Sequence, residues 1–178
     1  MRPMIPIPFR RPADGAVGGI RLNMMKPQWE LAGRTTFPDL LRALAGVLPE
    51  RSVLYFEDGS PSGDLKAFLD RTAMDDGPNV SPGTLWPEPR VDRIPATAAN
   101  LDQLADLAEH CAEPELAIHF YVYRDREVLM QWHDAFSDPM FVSKQGFSEE
   151  AVRTLCGELS MTYSEYRPGV EHQSPADR

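Results

Sequence analysis

An α+β fold is what this sequence predicts: a mostly antiparallel sheet centred on a hairpin over residues 116–136, with about four helices packed on it. Three observations carry that expectation. Residues 116–123 alternate with period 2 while both faces stay apolar or aromatic, as in an interior strand. Residues 127–133 alternate too, with Val128, Met130 and Trp132 on one side, and Arg124, Asp125 and Arg126 between the runs suit a hairpin loop. Elsewhere four segments carry helical apolar stripes, each opened by a residue able to cap it.

The hairpin register should be the one that buries its apolar row, because a slip by one residue moves every side chain to the other face. A three-residue loop sets Val122 beside Val128, Phe120 beside Met130 and Ile118 beside Trp132. It gathers His119, Tyr121, Gln131 and His133 on the opposite face. A two-residue loop would put Phe120 beside Gln131 and Ile118 beside His133. The three-residue loop is therefore expected, although it lacks the glycine such loops often use.

In chain order, residues 1–34 read as an irregular basic arm. Prolines at 3, 6, 8, 12 and 27 prevent regular helix, and Gly15, Gly18 and Gly19 add turns. Met24, Met25 and Trp29 make the arm too apolar for a pure linker, so it should lie on the body or against a second subunit. Residues 35–167 form a single domain. Its first helix has Thr36 as cap, Pro38 in the first turn and Leu40, Leu41, Leu44, Val47 and Leu48 inward. Residues 52–57 form a short strand. A helix over residues 63–71 follows, with Leu65, Phe68 and Leu69 inward.

Residues 72–98 are irregular, with Trp86 as either a packing anchor or a recognition side chain, and residues 91–94 as a short edge strand ended by Pro95. The next helix, residues 100–111, has Asn100 as cap and Leu101, Leu104, Leu107, Ala108 and Cys111 inward. Beyond the hairpin, residues 140–143 extend a meander. Ser148 caps a fourth helix with Val152, Leu155, Cys156 and Leu159 inward. Residues 161–166 offer a last strand, and residues 168–178 a flexible tail.

The 178 residues carry a formal net charge of −9, unevenly placed. Six cations against two carboxylates make residues 1–34 net +4, which leaves −13 on the remaining 144. Such a body repels nucleic-acid phosphates and anionic membranes and favours basic partners, its own arm among them. No apolar run approaches the ~20 residues of a membrane span, and the proline-broken start lacks the apolar centre of a signal peptide. A cytoplasmic protein is expected. The two cysteines, Cys111 and Cys156, show neither a Cys-x-x-Cys pair nor zinc spacing and read as buried reduced thiols. Residues 17–20 lack the lysine and hydroxyl of a phosphate-binding loop. No cofactor or metal site is expected.

Two candidate sites emerge. On the helix at residues 100–111, Asp102, Asp106 and Glu109, with Glu113 just beyond, follow steps of 4, 3 and 4 along one flank. No lysine or arginine occurs from Ile94 through Tyr123. Like charges so spaced cost ~0.2–0.5 kcal/mol per pair, and those at the C-terminal end oppose the helix dipole. An unrelieved acidic stripe suits a docking surface for a basic protein; solubility is the plainer account. The second candidate is the His119, His133, Tyr121 and Gln131 face, which would suit the acid–base work of a small hydrolase or transferase; covered, hydrogen-bonded histidines are its plainer account. Glu57, Asp58, Ser60, Ser62 and Asp64 cluster after the first strand, where turn and capping duties account for them. The expected function is thus non-catalytic binding of a basic partner, with catalysis on the histidine face as the alternative and self-association through the arm as a third possibility.

Overall fold

In the computed structural model, which describes residues 19–80, 89–135 and 139–169, seven strands form one antiparallel sheet. They are β1 (Gln28–Ala32), β2 (Val53–Glu57), β3 (Val91–Pro95), β4 (His119–Arg124), β5 (Glu127–Trp132), β6 (Met140–Ser143) and β7 (Thr162–Tyr166), in the order β3-β2-β4-β5-β6-β1-β7. The hairpin β4–β5 occupies the middle of the sheet. Five helices join the strands: α1 (Phe37–Ala45), α2 (Gly63–Thr72), α3 (Ala98–Ala108), the single turn α4 (Glu113–Leu116) and α5 (Glu149–Leu159). The α+β class holds, with one short helix more than expected.

The hairpin register corrects the three-residue loop. Arg124 faces Glu127 across a two-residue turn in which Asp125 has φ 54°, a left-handed conformation that aspartate tolerates better than most residues. Between the pairs Tyr123–Val128 and Val122–Met130 the register shifts by one, leaving Leu129 as an extra residue in β5. This bulge reconciles turn and burial. The two-residue turn alone would set Phe120 against Gln131; one added residue sets Phe120 against Trp132 and Tyr121 against Gln131. Leu129 enters the helix-side core, and Val128, expected there, turns to the opposite face.

The inward stripes of α1, α2, α3 and α5 meet one sheet face formed by Leu54, Phe56, Ile94, Phe120, Val122, Met130, Trp132, Met140 and Val142. Phe37, the first residue of α1, lies 5.8 Å from the Phe120 ring and 5.6 Å from that of Trp132. Each such fully buried large side chain stabilises the fold by roughly 1.5–3 kcal/mol. The other face carries Val53, Tyr55, Tyr121, Tyr123 and Val128, covered by Ile20, Leu22 and Val80. Ile20 and Val80 are joined by an isolated bridge.

Local signals placed most element ends. Thr36 and Ser148 cap α1 and α5 through their side-chain oxygens. The cap of α3 is Thr97, not Asn100, whose backbone N–H bonds the Thr97 hydroxyl at 3.2 Å. The Asn100 amide reaches back to the Pro95 carbonyl instead. Ser62 is the N-cap of α2, but its hydroxyl donates to Glu115 and makes no capping bond to the helix. Residues 116–118, read as strand, complete α4 and a short connection, so β4 begins at His119.

The largest departure concerns the arm. Residues 28–32, which prolines and glycines place in irregular chain, form β1 inside the sheet between β6 and β7. Trp29 is buried in its own chain's core, and Met24 packs on the second face. Trp86, residues 1–18, Phe136 and the tail from residue 170 lie outside the described residues.

Candidate functional site

The histidine face assembles where β2 ends, β4 begins and β5 runs out. Cross-strand pairing sets Glu57 beside His119, Tyr55 beside Tyr121, and Tyr121 beside Gln131. After β5, Asp134 takes a left-handed φ of 50° and the chain folds back, so that the Ala135 N–H bonds the Ile118 carbonyl at 2.8 Å. That reversal carries His133 over His119. The two imidazoles stack, with centroids 4.2 Å apart and planes 4° from parallel. Both are half-buried.

Each ring has its Nδ1 engaged. The Asp134 backbone N–H donates to His119 Nδ1 at 2.9 Å, which leaves the proton of neutral His119 on Nε2. Tyr121 Oη lies 3.1 Å from His133 Nδ1. Burial lowers the His119 pKa below its ordinary 6.5, and His133 beside it adds to the effect; the carboxylates of Glu57, Asp58 and Asp134 oppose it. Burial and the Glu57 charge raise the Tyr55 pKa to about 12 and push Tyr121 higher still, so both phenols stay protonated near neutral pH. Glu57 itself is only 1% exposed.

The structure brings His119 and His133 together with Tyr121, sets Gln131 opposite Tyr121, and adds Tyr55 and Glu57. Glu57, which the sequence assigns to turn and capping duties, ends β2 opposite His119. The signal that singles it out is an acid ending a strand whose other four residues are all apolar or aromatic. Asp58, with φ 64°, does serve the turn, and Gly59 lies so close to residues 115–116 that a Cβ there would stand 2.2 Å from the Leu116 carbonyl oxygen. Chemically the cluster offers an imidazole N–H donor on His119, a second imidazole in hydrogen-bond contact with a tyrosine hydroxyl, and a buried acidic side chain.

The acidic stripe is less bare than the sequence implies. Asp102, Asp106 and Glu109 are exposed on α3 and its C-cap, but Arg42 of α1 reaches across. Its guanidinium lies 3.0 Å from Asp106 and 2.7 Å from Glu109, a contact that raises the arginine's pKa further. The expected unrelieved stripe is therefore answered at two of its positions from within the chain. Asp102 has no counter-cation among the described residues. Glu113 opens α4 and so does not continue the α3 flank; its side chain lies outside what is described. Between α1 and the end of α3 lies an open hollow of about 280 Å³ bordered by Asp39, Arg42, Glu109 and Cys111.

Cys111 and Cys156 are free thiols, both with pKa values raised by burial. Among the described residues no group of three His, Cys, Asp or Glu is arranged to hold a metal ion, and no helix is long and apolar enough to cross a membrane. Comparison with protein-family models, with curated proteins and with solved structures finds no match for this chain.

Proposed function

We propose that this protein is a non-catalytic binding module that docks a basic protein partner through the α1–α3 face. The observation that supports the reading is that three carboxylates, Asp102, Asp106 and Glu109, are exposed together while Arg42 answers only Asp106 and Glu109. The Arg42 clasp is itself solvent-exposed, with side chains 40% exposed for Arg42, 76% for Asp106 and 48% for Glu109. Exposed ion pairs are screened by water and salt, so a partner's arginine can displace this one. The clasp also shows how this surface engages a guanidinium: carboxylates three residues apart both contact its Nη2. Two reduced thiols suit a reducing compartment, and the cytoplasm is the location we assign.

The test is affinity for an arginine-rich peptide in low salt. D102K/D106K should weaken binding at least tenfold, and R42A should tighten it by removing the internal competitor. Unchanged binding in D102K/D106K, or no gain in R42A, rejects the proposal.

The stacked imidazoles favour a second reading, an acid–base site for a small hydrolase or transferase, in which His133 takes up a proton while His119 Nε2–H donates to a developing negative charge. Hydrolysis of simple activated esters that vanishes in H133Q but persists in Q131A would support it; no hydrolysis above buffer, or equal rates in all three proteins, would reject it.

A further inference from the structure

At the other end of the central hairpin from the histidines, the chain encloses a cleft of about 560 Å³ between residues 21–28, the β4–β5 turn and the segment after β6. Its volume falls in the range of small-molecule sites, roughly 300–1,000 Å³. Its charge runs against the rest of the molecule. Arg21, Lys26, Arg126 and Lys144 line it against Glu127 and Glu165, a net +2 in a protein of net −9.

The two carboxylates do not cancel this field evenly. Glu165 accepts from Lys144 at 2.7 Å and from Arg167, outside the cleft lining, at 2.7 Å, which together keep it ionised and already satisfied. Lys144 is held in place by that contact and by the Trp29 ring, 4.0 Å below its Nζ. On the facing rim Arg21 and Lys26 are exposed and have no carboxylate partner among the described residues. The buried Gln28 amide, whose Nε2 donates to the Asn23 carbonyl at 2.7 Å, braces that rim.

We infer that this cleft binds a small organic anion, a di- or tricarboxylate or a phosphate ester, between the Arg21–Lys26 rim and the Arg126–Lys144 rim. A long polyanion fits this charge distribution poorly. Outside the cleft the chain carries −11, and a strand of nucleic acid extending past the rims would meet it, whereas a small anion sits within the ~8–10 Å over which charge is felt in physiological salt.

The experiment titrates citrate and, separately, pyrophosphate into the full chain at low salt, read by calorimetry and by backbone amide shifts. Saturable one-to-one binding of either probe is expected, with shifts confined to residues 21–28, 126–128 and 143–145, and which probe binds tighter tells carboxylate from phosphate. R21Q/K26Q should weaken it by about tenfold or more, the loss of charge-assisted contacts. R71Q/R153Q, which removes the same charge elsewhere, should change it less than twofold. Absence of saturation with both probes overturns the inference, and so does equal weakening by the two double variants, which would mark a general charge effect.

Discussion

Replacing Tyr121 by phenylalanine removes one oxygen from the centre of the histidine cluster and nothing else. The ring is fully buried and packs edge-on against Tyr55 at 5.8 Å, so its apolar contacts survive the change. Among the contacts that go is the one between Tyr121 Oη and His133 Nδ1 at 3.1 Å. Stranding a buried partner costs ~1–3 kcal/mol, but His133 is half-buried and water can partly replace the hydroxyl, which places the loss near ~1 kcal/mol. For a domain of this size that lowers Tm by roughly 2–4 °C. Denaturant unfolding gives the free energy, and the imidazole proton resonances report the site: His133 should shift strongly, and His119, tied to the Asp134 backbone, much less. A variant with wild-type stability and an unmoved His133 resonance would refute the hydrogen bond. A loss above ~3 kcal/mol with both histidines displaced would show that the oxygen organises the whole strand end.

His119 should make stability depend on pH in a defined window. Its folded pKa lies below the ordinary 6.5, so the unfolded chain binds the extra proton first; this contribution is complete above about pH 6.5 and is lost as pH falls through the folded value. H119Q should flatten the stability profile just below pH 6.5, and an unchanged slope there would contradict the assignment. Deleting Leu129 should cost about what L129A costs, ~2–5 kcal/mol for a buried leucine, because the residue has no cross-strand partner of its own; if the deletion fails to fold while L129A folds, the bulge is more than a spare residue. Two glycines should respond oppositely, as thermal melts would show. G59A drives a Cβ into the Leu116 carbonyl and should destabilise by ~1–3 kcal/mol while shifting the His119 signals, whereas G157A, in α5 with open space around it, should stabilise by ~0.5–1 kcal/mol. Equal melts for the two would refute the packing at Gly59.

Much of the layout was legible because its causes are local. The alternation around Phe120 and Trp132 follows from strand geometry and puts His119 with Tyr121 on one face of β4, whereas the Leu129 bulge brings Gln131 opposite Tyr121 and the reversal at Asp134 brings His133 over His119. Thr36 and Ser148 announce their helices through groups three residues away. Residues 28–32 failed the same kind of reading. Pro27 and Gly33 bracket a run of only five residues, too short to show a period, and its strand character comes from β6 and β7, more than a hundred residues later.

The sequence by itself determined the fold class and most of the buried stripe of each long helix, since these are set by local repeats. Only the tertiary structure decided that Leu129 is the odd residue in β5, that Glu57 lies beside His119, and that Arg42 answers Asp106 across 64 residues of chain. Pairings at such separations depend on which surfaces bury most when the whole chain closes, and no local period encodes that choice.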